Sequence, residues 1–180
     1  MGVNKGRRLN HLFGRPNKYQ TGGKQHLWLS HIKEEVGSKT FNDYFKFSFT
    51  RNPFDKAVSQ YFFTKKRPRL LKKLRIKKNS TFRTYVLAVL SSKTHVQWDN
   101  QYKFIYFKNE CLADFVGKVE NLQEDFNFVC DRIGIPKRQL QHKNKTNHKH
   151  YTEYYDEETR EIVAEKYAED IELFGYQFGE

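Results

Sequence analysis

An arginine and a serine eight residues apart, either side of a change from strand-like to helix-like patterning, have the spacing and chemistry to grip a phosphate. They are Arg51 and Ser59 in YFKFSFTRNPFDKAVSQYFF, residues 44–63. Arginine offers a planar fork of donors that matches phosphate oxygens, and ligands of α/β proteins bind at the carboxyl ends of strands. Before Arg51, aromatic residues alternate with small or polar ones, as in a buried strand. After it, Pro53 has the fixed φ of a helix's first turn and Asp55 sets an acid near the helix's positive end. Ala57, Val58, Tyr61 and Phe62 give that helix one apolar face. Spacing alone leaves a second reading open, in which Arg51 only ties down the loop.

Proton transfer near neutral pH suits histidine, of which the chain has seven. His26 stands just before a helical pattern that leads into the Arg51 strand; His31, five residues on, falls on a different part of that helix. On position alone His26 reads as a capping or surface histidine. His142, His148 and His150 share a polar loop, residues 137–151, with Lys143, Lys145 and Lys149. No carboxylate or cysteine completes a metal-ligand spacing there, so the loop is read as phosphate-facing. Glu120 and Asn121 follow a second strand; they orient the loop or an acceptor, or else Asn121 caps the next helix. Cys130 shares a face with Phe126, Val129 and Ile133 and reads as a buried thiol, a weak pointer to a reducing compartment.

Between these residues α and β patterns alternate. Gln25–Val36 is helical and stopped by Gly37; Tyr44–Thr50 is a strand; Phe54–Thr64 is a helix. Ser80 is expected to cap a helix through Leu90, with Phe82, Tyr85, Val86 and Val89 inward. Ala113–Val119 is the second strand, Leu122–Ile133 a helix closed by Gly134 and Pro136, and Asp156 caps one long helix to Leu173. Helices between strands imply a parallel sheet. Only two strands are clear, which points to a lost first strand.

The segment RNPFDKAVSQYFF closely resembles the 3′-phosphate-binding segment of sulfotransferases that use 3′-phosphoadenosine 5′-phosphosulfate (PAPS), in particular the carbohydrate-type branch. Two further segments resemble the same family in the same order: DFVGKVENLQEDF, residues 114–126, and NKTNHKHYTEYYDEETREIVAEKYAEDIELFGYQF, residues 144–178. The resemblance runs from about Gln25 to the C-terminus, with a basic stretch between that matches poorly. It implies an α/β, P-loop-like fold with helices flanking a parallel sheet. It also implies that Arg51 and Ser59 hold the 3′-phosphate, that Lys145 and Thr146 of the Asn-Lys-Thr loop close over the donor, and that His26 is the base, with no metal required. The family's strand and Lys/Gly/Ser/Thr loop for the 5′-phosphosulfate are not found upstream of Arg51. TGGK, residues 21–24, lacks the leading strand and the hydroxyl after lysine and reads as a turn. The expectation is an N-terminally incomplete chain, or one whose missing part comes from elsewhere. A non-catalytic remnant that binds nucleotide or polyanions is the alternative.

At 180 residues the chain has length for one domain, expected over residues 25–180 behind a flexible basic segment 1–24. Aromatics, 16 Phe, 11 Tyr and 2 Trp, must supply much of its core. No apolar run is long enough to span a bilayer, and the basic N-terminus lacks the apolar region of a secretory signal. A complete chain of this kind is expected in the cytoplasm; a fragment of an animal-type enzyme belongs in the Golgi lumen. The net charge of +12 is concentrated in Lys65–Lys78, KKRPRLLKKLRIKK, nine basic residues without an acid. The readings for that run, in order, are an idle solvated face, a patch for an anionic acceptor such as a glycan, and a nucleic-acid patch. It carries no aromatic platform for bases. Oligomeric state is not encoded in any pattern.

Overall fold

The computed structural model describes residues 26–91, 98–141 and 148–180. These residues form two compact units, one from the chain up to Ser48 with Gln101–Val116, the other from Phe49–Asn100 with Gly117–Glu180.

In the first unit, His26 takes a positive φ of 63° and Trp28 is extended, so helix α1 begins at Leu29 rather than Gln25 and runs to Val36. Gly37, at φ 81°, ends α1 and at once starts a short helix α2, Ser38–Asp43, which the sequence pattern did not announce. Phe41 is its buried anchor, with the ammonium groups of Lys33 and Lys46 over the ring. Strand β1, Phe47–Thr50, is shorter than expected because Tyr44 is used to leave α2 and is exposed. A hairpin, β2 Tyr106–Phe107 and β3 Glu110–Cys111, turns on Lys108 and Asn109, both at positive φ. It escaped the sequence because its Lys-Asn turn lacks the glycine that usually signals such hairpins. Strand β4, Phe115–Lys118, pairs with β1 in a two-stranded sheet. Lys46 O accepts from the Asp114 and Phe115 amides, and Thr50 Oγ1 lies 3.4 Å from Gly117 O, an order that increases along both strands and makes the pair parallel.

The second unit is built on helix α3, Pro53–Lys65, whose Phe54, Ala57, Val58 and Tyr61 are buried. Helix α4, Pro68–Leu74, contributes Leu74 to the same core. Helix α5, Phe82–Ser91, contributes Phe82, Tyr85, Val86 and Val89. Its N-terminal hydroxyl cap is Thr81, whose Oγ1 accepts the Thr84 amide; Ser80 Oγ instead accepts the Lys77 amide and closes the preceding turn. Helix α6, Leu122–Ile133, follows β4 through a 3-10 turn and buries Val129 and Cys130. Asp156 caps helix α7, Glu157–Lys166, through a reciprocal pair with Thr159. The long helix expected there breaks at Tyr167, and helix α8 runs from Ala168 to Phe174. The break follows from anchoring Tyr167: its ring is buried and its hydroxyl donates to Trp98 O at 3.1 Å. Edge-to-face aromatic pairs knit this core, as the composition led one to expect, with Phe54, Tyr155 and Phe178 in mutual contact.

Candidate functional site

β1 ends in buried Thr50, the chain turns through Arg51 and Asn52, and Pro53 opens α3. A proline at that position costs no hydrogen bond, because the first amides of a helix have no partner within it. Asn52 supplies the cap: its Oδ1 accepts the Phe54 amide at 3.0 Å. Asn52 is 1% exposed, and each of its other polar groups is also engaged. Its amide donates to Glu120 Oε1 at 2.6 Å, its carbonyl accepts the Lys56 amide at 2.8 Å, and its Nδ2 donates to Gln177 O at 2.8 Å.

Arg51 is aimed by a carboxylate. Its Nε donates to Asp55 Oδ2 at 2.6 Å, a charge-assisted bond between the loop and the first turn of α3. Ser59 lies one turn beyond Asp55 on the same face of α3 and is half-buried. The expected pair of phosphate ligands thus sits on one strand end and the helix that follows it. Glu120, in the turn after β4, is held by Asn52 and lies 3.4 Å from the Tyr176 hydroxyl, which is itself 2.9 Å from Thr50 Oγ1. Burial raises the pKa of the Tyr176 phenol well above its ordinary value, so it stays a neutral hydroxyl in this network. Asn121, the alternative cap, makes no side-chain bond to the amides of α6. The turn is tied instead by Asp125, which accepts the Lys118 amide at 2.6 Å.

A cavity of about 180 Å³ opens beside this loop. Asn52, Asp55 and Glu120 line it together with His148, His150 and Tyr151 of the C-terminal loop. His148 Nδ1 is 2.7 Å from the Lys149 carbonyl. A carbonyl only accepts, so Nδ1 carries the proton and Nε2 of the neutral ring is left as an acceptor. The same ring stacks on Phe62 at 5.1 Å, which fixes its plane. His150 is oriented by Thr152, 2.8 Å from its Nδ1.

His26 is exposed and belongs to the first unit, while Arg51 and Ser59 belong to the second. His31 stacks on Trp28 at 5.2 Å. Lys145 and Thr146, like the TGGK segment and His142, lie outside the described residues. Sequence reasoning missed Asn52 and singled out Asp55 only for its place near the helix dipole. An Asn-Pro pair at a strand-to-helix junction is a readable N-cap signal; the bonds to Glu120 and Gln177, 68 and 125 residues away, have no local signal. Among the described residues, no cluster of three or more His, Cys, Asp or Glu could hold a metal ion, and no helix is long and apolar enough to cross a membrane.

An uncharacterized protein from Archaeoglobus fulgidus is 31% identical over 111 residues, which cover 61% of this chain and 82% of that protein. No solved structure matches the chain. The family model described as the sulfotransferase family matches residues 7–177, nearly the whole chain including the Arg51 loop, the turn after β4 and the C-terminal helices, and the chain therefore belongs to the sulfotransferase family.

Proposed function

We propose that the chain moves a sulfuryl group from PAPS to a hydroxyl of a carbohydrate or a similar hydroxylated acceptor. The observation that carries this reading is the Arg51 loop. A guanidinium is fixed at a strand's carboxyl end by Asp55, one turn from Ser59, next to a cavity edged by two oriented imidazoles. In this proposal Arg51 and Ser59 bind the 3′-phosphate, and Lys145 and Thr146 close over the donor. The positive end of α3 adds to the attraction for phosphate. His26 takes the proton of the acceptor hydroxyl as its oxygen bonds to sulfur. The bond from sulfur to the 5′-phosphate oxygen breaks, and the electron pair leaves on that phosphate. The alternative is a non-catalytic form of the same fold that binds nucleotide or polyanions and transfers nothing.

The test is a thermal-shift titration with 3′-phosphoadenosine 5′-phosphate, with AMP as control. At a hundred times the dissociation constant, a ligand specific for the folded state adds about 2.7 kcal/mol. Arg51→Ala should abolish the shift while leaving the unliganded melting temperature within a few degrees; an unchanged shift would remove Arg51 from the site. His26→Ala should keep the shift and lose sulfuryl transfer to a carbohydrate acceptor. Transfer at the normal rate in that variant excludes His26 as the base. A shift without any transfer in the unmodified chain selects the non-catalytic alternative.

A further inference from the structure

The basic run Lys65–Lys78 has a definite place in the fold. Of its nine cations, Lys65 is half-buried; its ammonium sits 4.7 Å from the Tyr61 ring centroid and donates to the Tyr61 hydroxyl. The other eight are exposed. Leu74 is buried, Ile76 packs against the core, and Leu70 and Leu71 are half-buried, so the apolar side of α4 is spent inside the second unit. Lys66 stands in the turn before α4, Arg69, Lys72 and Lys73 are exposed along it, and Lys77 and Lys78 follow it. Among the described residues no ion pair involves Lys66, Arg67, Arg69, Lys72, Lys77 or Lys78.

This arrangement works against the stability of the helix that carries it. Arg69 stands in the first turn of α4, where the helix dipole disfavours a cation and no acid compensates. Like charges three and four residues apart repel. The chain leaves α4 through Arg75, whose φ of 55° and ψ of 35° belong to the left-handed region that glycine ordinarily fills at a helix end. Arginine at that position keeps a cation where the backbone would favour glycine. Repulsion and strain retained together at an exposed face call for a polyanion that relieves them.

We propose that the outer face of α4 with the turn through Lys78 is a docking surface for a polyanionic glycan chain. The side chains of this surface argue against the other polyanions. The run holds no aromatic residue on which a base could stack. Its leucines and Ile76 are turned into the protein, and the large exposed apolar side chains among the described residues lie elsewhere, so nothing here inserts into a lipid surface. Linear charge without apolar anchors suits a flexible chain of sulfates or carboxylates bound through arginine and lysine. The choice of glycan among polyanions rests on the sulfuryl-transfer reading; the surface itself does not.

The experiment measures binding of a heparin dodecasaccharide to the full chain across a salt series. A single-stranded thymidine dodecamer and phosphatidylserine vesicles serve as competing probes. Triple replacement Lys66→Glu, Arg69→Glu, Lys72→Glu should weaken heparin binding at least tenfold and lower the log–log salt slope by about two, at roughly 0.7 per neutralised charge. The same three positions changed to Gln should weaken binding in the same direction by less, which covers the case in which charge reversal disturbs folding. Heparin binding equal to wild type in both triple variants overturns the proposal. Tighter binding of the thymidine oligomer or of vesicles overturns the assignment to a glycan. The nucleotide-induced thermal shift is read on the same samples. An intact shift in a variant that has lost heparin binding supports a separate surface. Heparin binding without any nucleotide shift in the wild type sinks the nucleotide reading and leaves this surface standing.

Discussion

At the scale of single residues, the candidate site combines side chains held by near neighbours, as Arg51 is by Asp55, with Asn52, held by partners far along the chain. Asp55 is the sharpest case. Its carboxylate grips Arg51 by Nε, a side-on hold that settles where the guanidinium plane lies. If this hold aims Arg51 at the 3′-phosphate, Asp55→Ala should weaken nucleotide binding about tenfold, or about 1.4 kcal/mol, and Asp55→Asn, which keeps an acceptor, should recover most of it. Calorimetric titration decides this. Tighter binding in Asp55→Ala would instead show that the carboxylate competes with phosphate for the arginine.

At the scale of elements, β4 owes its position to a missing side chain. A Cβ on Gly117 would come within 2.7 Å of Phe49 Cε1 and 3.0 Å of Asp125 Cβ. The ring would have to leave its place beside the strand. Gly117→Ala should therefore destabilise the protein by about 1–3 kcal/mol in urea unfolding, a loss typical of overpacking. The same scale shows what the sequence could and could not disclose. α3, α5 and α6 were legible because their apolar residues recur with helical spacing and their ends carry Pro53 and Gly134. β1 and β4 were legible as apolar runs before turn residues. α2 and the β2–β3 hairpin were not, since six and two residues are too short for periodicity to register. The break at Tyr167 was illegible for a different reason: it follows from a hydroxyl seeking the Trp98 carbonyl, a tertiary demand that overrides a good helical pattern. At the site, Arg51 and Ser59 could be picked out from local spacing. Glu120 could be named but not assigned, because its bond to the Asn52 amide spans 68 residues.

At the scale of the whole molecule, pH acts through buried groups in the second unit. Burial lowers the Lys56 pKa from 10.5 to about 8, despite the opposing pull of Asp170 and Asp99 and with a small push from Lys166. Its ammonium donates to Asp99 O at 2.8 Å and lies over the Tyr167 ring. Between pH 8 and 10.5 the unfolded chain holds a proton on this lysine that the folded chain has lost. Stability therefore rises with pH in that window, and the charged lysine is a burden below it. Tyr85, Tyr155 and Tyr167 act oppositely. Burial raises their pKa values well above the ordinary 10, so above about pH 10 the unfolded chain sheds protons that the folded chain keeps. The melting temperature should climb from pH 8 toward 10 and then fall. Lys56→Met should flatten the climb and leave the fall, and a climb unaltered in that variant would locate its cause elsewhere.

The bond from Asn52 Nδ2 to the Gln177 carbonyl joins residues 125 positions apart, and it bears on when the site comes into being. Ribosomes add roughly 5–20 residues per second. For about 6–25 seconds of each molecule's synthesis, the loop bearing Arg51 exists with one buried amide group waiting for its acceptor. A nascent chain stalled anywhere in that interval carries Arg51, its partner Asp55 and Ser59 on a loop whose Asn52 still lacks the Gln177 carbonyl. If the proposed nucleotide site depends on that bond, capture is a late acquisition during translation, and unfinished chains would not compete with finished ones for nucleotide.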